Sequence, residues 1–214
     1  MSLKDTKSYP KTTQSFISDV RKRAKKHGIE ITISDEEYVY MNDELECAGF
    51  FDDVKKQLQV AAGECHFNEW FPIFIHESCH MDQWLDDPDM WNNVYYGKTN
   101  IDNCDVMESW LAGDIELKKD QLAQVVEQLQ NIEMDCEQRV IARIDEYNLP
   151  VDKEIYIKEA NIYVLFQLVA KKNRKWYKKY PGDSKKVLNL LPDTLYYDYT
   201  KISPALRKEL EKFI

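Results

Sequence analysis

Apolar and polar positions change period along this chain, and the changes mark out its elements. Over residues 12–27, Phe16, Ile17 and Val20 form a short apolar stripe that predicts an amphipathic helix, and Gly28 is a natural stop behind it. Ile29-Glu-Ile31-Thr-Ile33 alternates with period two and predicts a half-buried strand. Residues 38–41 predict a second strand, with Asn42-Asp43 as turn residues. Residues 45–51 and 54–61 predict a hairpin around Asp52-Asp53, with Leu58 and Val60 on one face and Gln57 and Gln59 on the other. From Asn68 the period turns helical. Residues 70–84 predict a buried helix, residues 86–103 a loop rich in Asp, Pro and Asn, and helical pattern resumes near Asp105. Residues 118–147 predict one long helix with Leu122, Val125, Val126, Leu129, Ile132, Cys136, Val140, Ile144 and Tyr147 on one stripe, closed by Asn148-Leu149-Pro150. A further helix over residues 152–177, a loop at Pro181-Gly182-Asp183 and short elements complete the chain. The pattern predicts an α+β fold, a small antiparallel sheet first and helices after it. With no internal repeat and no long linker, it predicts a single domain.

Composition narrows the class. The 214 residues are ample for a core, and 12% aromatic residues with only six Gly and seven Pro argue against disorder. The longest wholly apolar run, Trp70 to Ile75, is far too short to span a bilayer, so no membrane partner is expected. Met1-Ser2-Leu3-Lys4-Asp5 has no apolar core of the secretory type, and the five scattered cysteines include no Cys-x-x-Cys pair. A reducing, cytoplasmic setting is expected. The net charge of −9 conceals a pattern: residues 1–30 carry +5, residues 31–150 carry −20 and residues 151–214 carry +6. An acidic middle suits a bound cation or a basic substrate and disfavours nucleic acid there.

The chemistry sits in the buried helix, at Phe74-Ile75-His76-Glu77-Ser78-Cys79-His80-Met81. Two His at i and i+4 stand roughly 40° apart on one helical face, so both imidazoles can reach one metal ion. Glu77 lies on the flank, placed to act on a water rather than on the metal. Half of the four His of the chain fall in this motif, and Glu77 is the one charged carboxylate or ammonium residue between Trp70 and Met81. The competing explanation is a pair of satisfied core histidines. On the long helix, with Leu129 at 0° and ~100° per residue, Glu133 falls near +40° inside the apolar arc. Glu137 then falls near +80°, at its edge, and Asp135 near −120°, facing away. A carboxylate in an apolar stripe is costly unless compensated, and a metal ion would compensate it; pairing of Glu133 with Arg139 is the alternative.

Hairpin, His-Glu-x-x-His helix and a later helix bearing Glu together resemble the gluzincin branch of the zincin metallopeptidases, over about residues 49–139. The resemblance implies a zincin-like fold with a zinc ion held by His76, His80 and Glu133, with Glu77 as general base toward a peptide bond. It also implies that the acidic residue four positions on, here Glu137 where the family more usually has Asp, supports a ligand His. A substrate-aligning edge strand would map to residues 54–61. No His follows His80, so metzincin spacing is absent. The metal core would then cover about residues 29–147, with a helical extension over about 150–214.

Other chemistries fit less of the chain. A di-iron carboxylate site needs two Glu-x-x-His motifs, and Glu77-Ser-Cys-His80 is alone. Cys65-His66 and Cys79-His80 are neighbours that do not face each other on an element, which disfavours a nucleophile pair. Glu108 is an outside candidate for the third ligand. Residues 171–179 interleave Lys and Arg with Trp176 and Tyr177, but a basic helix end complementing the acidic middle explains them more simply than nucleic acid. Tyr156, Tyr163, Tyr196 and Tyr197 are equal candidates for an oxyanion donor. The expectation is a zinc-dependent peptidase acting on a peptide or protein substrate, and a basic one suits the acidic middle. The alternative is an inactive, metal-stabilised module that binds a protein partner.

Overall fold

A computed structural model describes residues 9–41, 45–63 and 66–214. The expected Asn42-Asp43 turn and Cys65 lie outside the described residues. In chain order the elements are α1 (Lys11–Lys26), β1 (Glu30–Ser34), β2 (Val39–Met41), β3 (Leu45–Cys47), β4 (Gly49–Asp52), β5 (Gln57–Ala61) and α2 (Phe67–Asp86). There follow α3 (Pro88–Trp91), α4 (Asn103–Ala112), α5 (Lys119–Tyr147), α6 (Lys153–Asn173), α7 (Lys185–Leu188) and α8 (Pro204–Leu210). The fold is α+β. It divides into two compact units, the first holding the described residues up to Asp87 with Arg139–Asp152, the second holding Pro88–Gln138 with Lys153–Ile214.

In the first unit, β1, β5 and β4 form one sheet in that order, and β2 pairs with β3 in a second, two-stranded sheet. Here the expectation of an antiparallel sheet is corrected: β4 and β5 are antiparallel, but β1 runs parallel to β5, Ile31 opposite Leu58 and Ile33 opposite Val60. The stretch between Ser34 and Gln57 carries β2–β4, and is long enough for the crossover of a dozen or more residues that a parallel pair needs. The hairpin is tighter than its apolar pattern: residues 45–47 leave it to pair with β2, and Lys56, at φ 54°, closes its turn. The faces of β5 follow the alternation, Leu58 and Val60 fully buried and Gln57 and Gln59 half-buried. The strand implied to align substrate is corrected too. β5 is paired on both sides, so its backbone cannot take a further chain, and β4 is the outer neighbour.

α2 packs across β4 and β5. Gly49 permits that approach: a Cβ there would stand 2.7 Å from Ile73 Cγ2 and 3.2 Å from Gln59 O. At the start of α2, Glu69 accepts from the His66 N–H at 2.9 Å, and Pro88 follows its end at once. The ring of Phe16 on α1 meets Phe71, Phe74 and Tyr147 edge-on, with centroids 6.2, 6.1 and 5.1 Å away. Buried Asp82 forms an ion pair with Arg23, whose Nε lies 2.8 Å away, and accepts from Arg143 Nη2 at 2.9 Å, which ties α1 and the last turns of α5 to α2.

The second unit is helical around an apolar cluster in which Trp110, Val125, Ile162, Phe166, Leu206 and Leu210 take part. The expected loop at residues 86–103 contains α3, a 3-10 turn at Asn92–Val94 and an isolated bridge between Tyr95 and Asp102. α5 ends as its sequence implies. Asn148, at φ 49°, and Leu149, whose N–H reaches Ile144 O at 3.0 Å, wrap the last turn before Pro150. α6 stops four residues short of the periodic signal, because Arg174 turns to φ 49° and sends its guanidinium to Trp110 O, Ile115 O and Glu116. No helix among the described residues is long and apolar enough to cross a membrane.

Candidate metal centre

α2 is buried on nearly every side from Glu77 to Gln83, so the polar groups it carries there must find partners close by. Ser78 turns its hydroxyl back to Ile75 O at 2.7 Å. His80 lies 2.7 Å from Gln83 Oε1 through Nδ1, so Nδ1–H donates and Nε2 keeps a lone pair. That Nε2 is 3.0 Å from Nε2 of His76, with the two rings nearly perpendicular at 85°. Zinc–nitrogen bonds of about 2.0–2.1 Å in a tetrahedral shell hold two ligand nitrogens roughly 3.3 Å apart. The pair is therefore close to the spacing a shared ion requires. Burial, and then the neighbouring His76, depress His80 from 6.5 to about 3 against the opposing bond from Gln83, so it is neutral at physiological pH. A neutral imidazole is the form that ligates.

Glu77 points to the other flank. It is 9% exposed, and its Cγ would stand 3.3 Å from a Cβ at Gly49, so the carboxylate is carried over β4. Burial and then the charge of Glu77 raise the Cys47 thiol on β3, which keeps that cysteine protonated. His76 and His80 are thus brought together, and the Glu77 side chain lies beside Gly49 of β4.

In the second unit, Glu133 and Glu137 stand one turn apart on α5, 8% and 4% exposed, with carboxylate oxygens within 4.8 Å of each other. The helical wheel places Glu133 in the apolar arc correctly but sets Glu137 too near the edge. Met134, Cys136 and Glu137 are all buried because α5 is covered on more than one face here. Two carboxylates at this spacing repel each other unless a proton or a cation accompanies them. The negative field reaches further: Cys104 is raised well above its ordinary value by burial first, with Asp102 and Glu133 adding to it. Tyr180 is raised by burial, with Glu159 and Glu137 among the contributing charges. Glu108, the outside candidate, is exposed on α4.

Sequence reasoning missed three residues. Gln83 orients His80, and a His-x-x-Gln spacing on a buried helix could have revealed it. Gly49 makes room for Glu77, which no local pattern announces. Cys136, fully buried between Glu133 and Glu137, is a third donor type on that turn, and its place on the apolar stripe made it read as packing. No protein-family model, curated protein or solved structure matches this chain. The functional reading therefore rests on the residues themselves.

Proposed function

We propose that this protein is a zinc-dependent, zincin-like metallopeptidase of the cytoplasm, in which His76, His80 and Glu133 hold the metal, Glu137 supports it and Glu77 is the general base. The observation that carries the reading is the pair of Nε2 atoms 3.0 Å apart on a buried helix, with one lone pair fixed by Gln83. The donor chemistry supports it: imidazole and carboxylate are donors that zinc takes, and the Glu133 and Glu137 carboxylates lie within 4.8 Å of each other on α5. Two imidazoles and one carboxylate would hold the cation and would supply the donor set of an open zinc site. A bound zinc ion supplies Lewis acidity and brings the pKa of a water toward ~7. Glu77 then accepts a proton from the attacking water at its carboxylate and returns it to the leaving amine. Gln83 keeps the His80 ring in one tautomer throughout. A peptide or protein substrate is inferred, and a basic one suits the charge of residues 31–150.

One observation favours a second reading. β5, the strand expected to align substrate, has both edges occupied, which suits an inactive, metal-stabilised module that binds a protein partner. Glu77→Gln decides between the two. It keeps the fold and the zinc, because Glu77 is not a ligand, and lowers hydrolysis of a susceptible peptide by orders of magnitude. Equal cleavage by variant and wild type removes Glu77 as base. If the zinc-loaded wild type cuts nothing in a broad peptide library, the binding module becomes the leading reading.

A further inference from the structure

β1 closes the end of the three-stranded sheet that lies away from β4. Its hydrogen bonds fix which way its backbone groups point. The Glu30 N–H donates to Lys56 O at 2.9 Å, and Ser34 O accepts from the Ala62 N–H at 2.8 Å. Glu30, Thr32 and Ser34 therefore turn their backbone groups toward β5. By the same two-residue period, the N–H and C=O of Ile31 and Ile33 point out of the sheet, where no described strand pairs with them.

The side chains of this edge are also only partly covered. Ile31 lies opposite Leu58 and Ile33 opposite Val60, so the four share one face of the sheet. Gly49, opposite Val60, presents that face to Ile73 of α2. Leu58 and Val60 are fully buried there, whereas the two isoleucines stay half-buried at the rim. Native sheet edges are commonly blunted by Lys, Pro or a bulge, and β1 has none of these. Its charge has one sign: residues 30–37 hold four acids and no base. Glu30, Glu36 and Glu37 are exposed, and their carboxylates have no ion-pair partner among the described residues.

We propose that the outer edge of β1 docks a basic, extended segment of a partner protein, which adds to the sheet as a further strand. The backbone of that segment bonds the N–H and C=O groups of Ile31 and Ile33. Its apolar side chains, at alternate positions, cover the two isoleucines, and its Lys or Arg residues meet Glu30 and Glu36. A second copy of this chain fits the edge less well. Antiparallel pairing centred on Thr32 would set Glu30 of each copy opposite Ser34 of the other, beside Asp35 and Glu36, and like charges so placed are destabilising. This edge is independent of the metal centre and stands or falls apart from it.

Anisotropy of a labelled, end-blocked Lys-Val-Thr-Val-Lys peptide, titrated with the full chain in EDTA so that metal cannot contribute, tests the proposal. The peptide binds with a salt-dependent affinity, and Glu-Val-Thr-Val-Glu binds weaker by about tenfold or more. Antiparallel addition turns both Val N–H groups toward β1 and the Thr N–H away from it. N-methylation of the two Val residues therefore abolishes binding, and N-methylation of Thr is tolerated. Ile33→Pro removes one outward donor while sparing the bonds to β5, and it lowers affinity by about tenfold. Glu30→Lys combined with Glu36→Lys lowers it by a similar factor with the Tm unchanged, and keeps the test open if Ile33→Pro fails to fold. Amide exchange reads the edge directly: the Ile31 and Ile33 N–H groups exchange fast in the free chain and slowly with peptide, while Thr32 is protected in both. No binding of the basic peptide, equal binding of the acidic one, or indifference to Val N-methylation overturns the site. So does protection of Ile31 and Ile33 in the free chain, and a dimer on sedimentation would then assign the edge to a second copy.

Discussion

In the second unit the buried amides act as ties between elements. Gln130 Nε2 donates to Val164 O and to Tyr199 O at 3.0 Å each, and Asn161 joins Thr194 O at 3.0 Å and the Tyr196 N–H at 2.9 Å. In the first unit two polar groups buried along α2 meet other side chains: His80 meets Gln83 and His76, and Asp82 meets two arginines. A buried amide that joins backbone groups from two elements satisfies both and asks for nothing more. A histidine whose lone pair faces another histidine's ring nitrogen is different, because either a proton or a cation can lie between the two. Burial of polar residues is common to both units. The identity of the partner is what separates a structural tie from a candidate site.

The largest effect expected from that contrast is on metal. The protein takes up about one zinc per chain at neutral pH, as a single open site requires. His76→Ala and His80→Ala each abolish uptake, and Glu133→Ala weakens it severely, whereas Glu137→Ala costs about 10–100-fold. Elemental analysis of the four variants checks the order. Two irons per chain, or no metal after zinc reconstitution, would remove the peptidase reading, and Glu137→Ala outranking Glu133→Ala would put the ligand one turn further along α5.

Titration of the metal-free protein gives the next effect. His80 sits at about 3 in the folded chain against 6.5 ordinarily, so between those values the unfolded state binds the extra proton. Stability is therefore full above about 6.5, falls as the pH drops toward about 3, and changes no further from this group below that. The loss is on the order of a few kcal/mol. Urea melts across the range should show a shallower slope for His80→Gln, and an unchanged slope would place His80 in water.

In the second unit, Asn161→Ala leaves the Thr194 carbonyl and the Tyr196 N–H without their side-chain partner and costs about 1–3 kcal/mol. Denaturant midpoints measure it, and zinc uptake is unaffected if the amide is a tie only. Smallest is the basic stretch. Neutralising four lysines between Lys171 and Lys186 lowers stability by ~0.5 kcal/mol or less and leaves nucleic acid unbound. Tight, salt-dependent binding of RNA or DNA by the wild type, lost on neutralisation, would refute that.

Much of the helical content is legible in the chain because its signals are local. Gly28 behind α1, Asn148 behind α5 and the period of Leu122, Val125, Val126 and Leu129 act within one or two turns, so the elements fall within a few residues of their patterns. The His76–His80 contact is legible for the same reason, since a helix brings i and i+4 together whatever surrounds it. Features that depend on remote chain segments were not. The parallel pairing of β1 with β5, the loss of β5 as an edge and the seat that Gly49 makes for Glu77 depend on segments that meet only when the chain folds. The early stop of α6 depends on Arg174 reaching Trp110, Ile115 and Glu116, some sixty residues away in sequence. Amino-acid order by itself determined the long helices, the ends of α1 and α5 and the two imidazoles on one face, because hydrogen bonds and periodicity act over a single turn. Tertiary structure alone decided strand partners, burial around Glu137 and the surroundings of Glu77, because those are settled by which distant surfaces exclude water together.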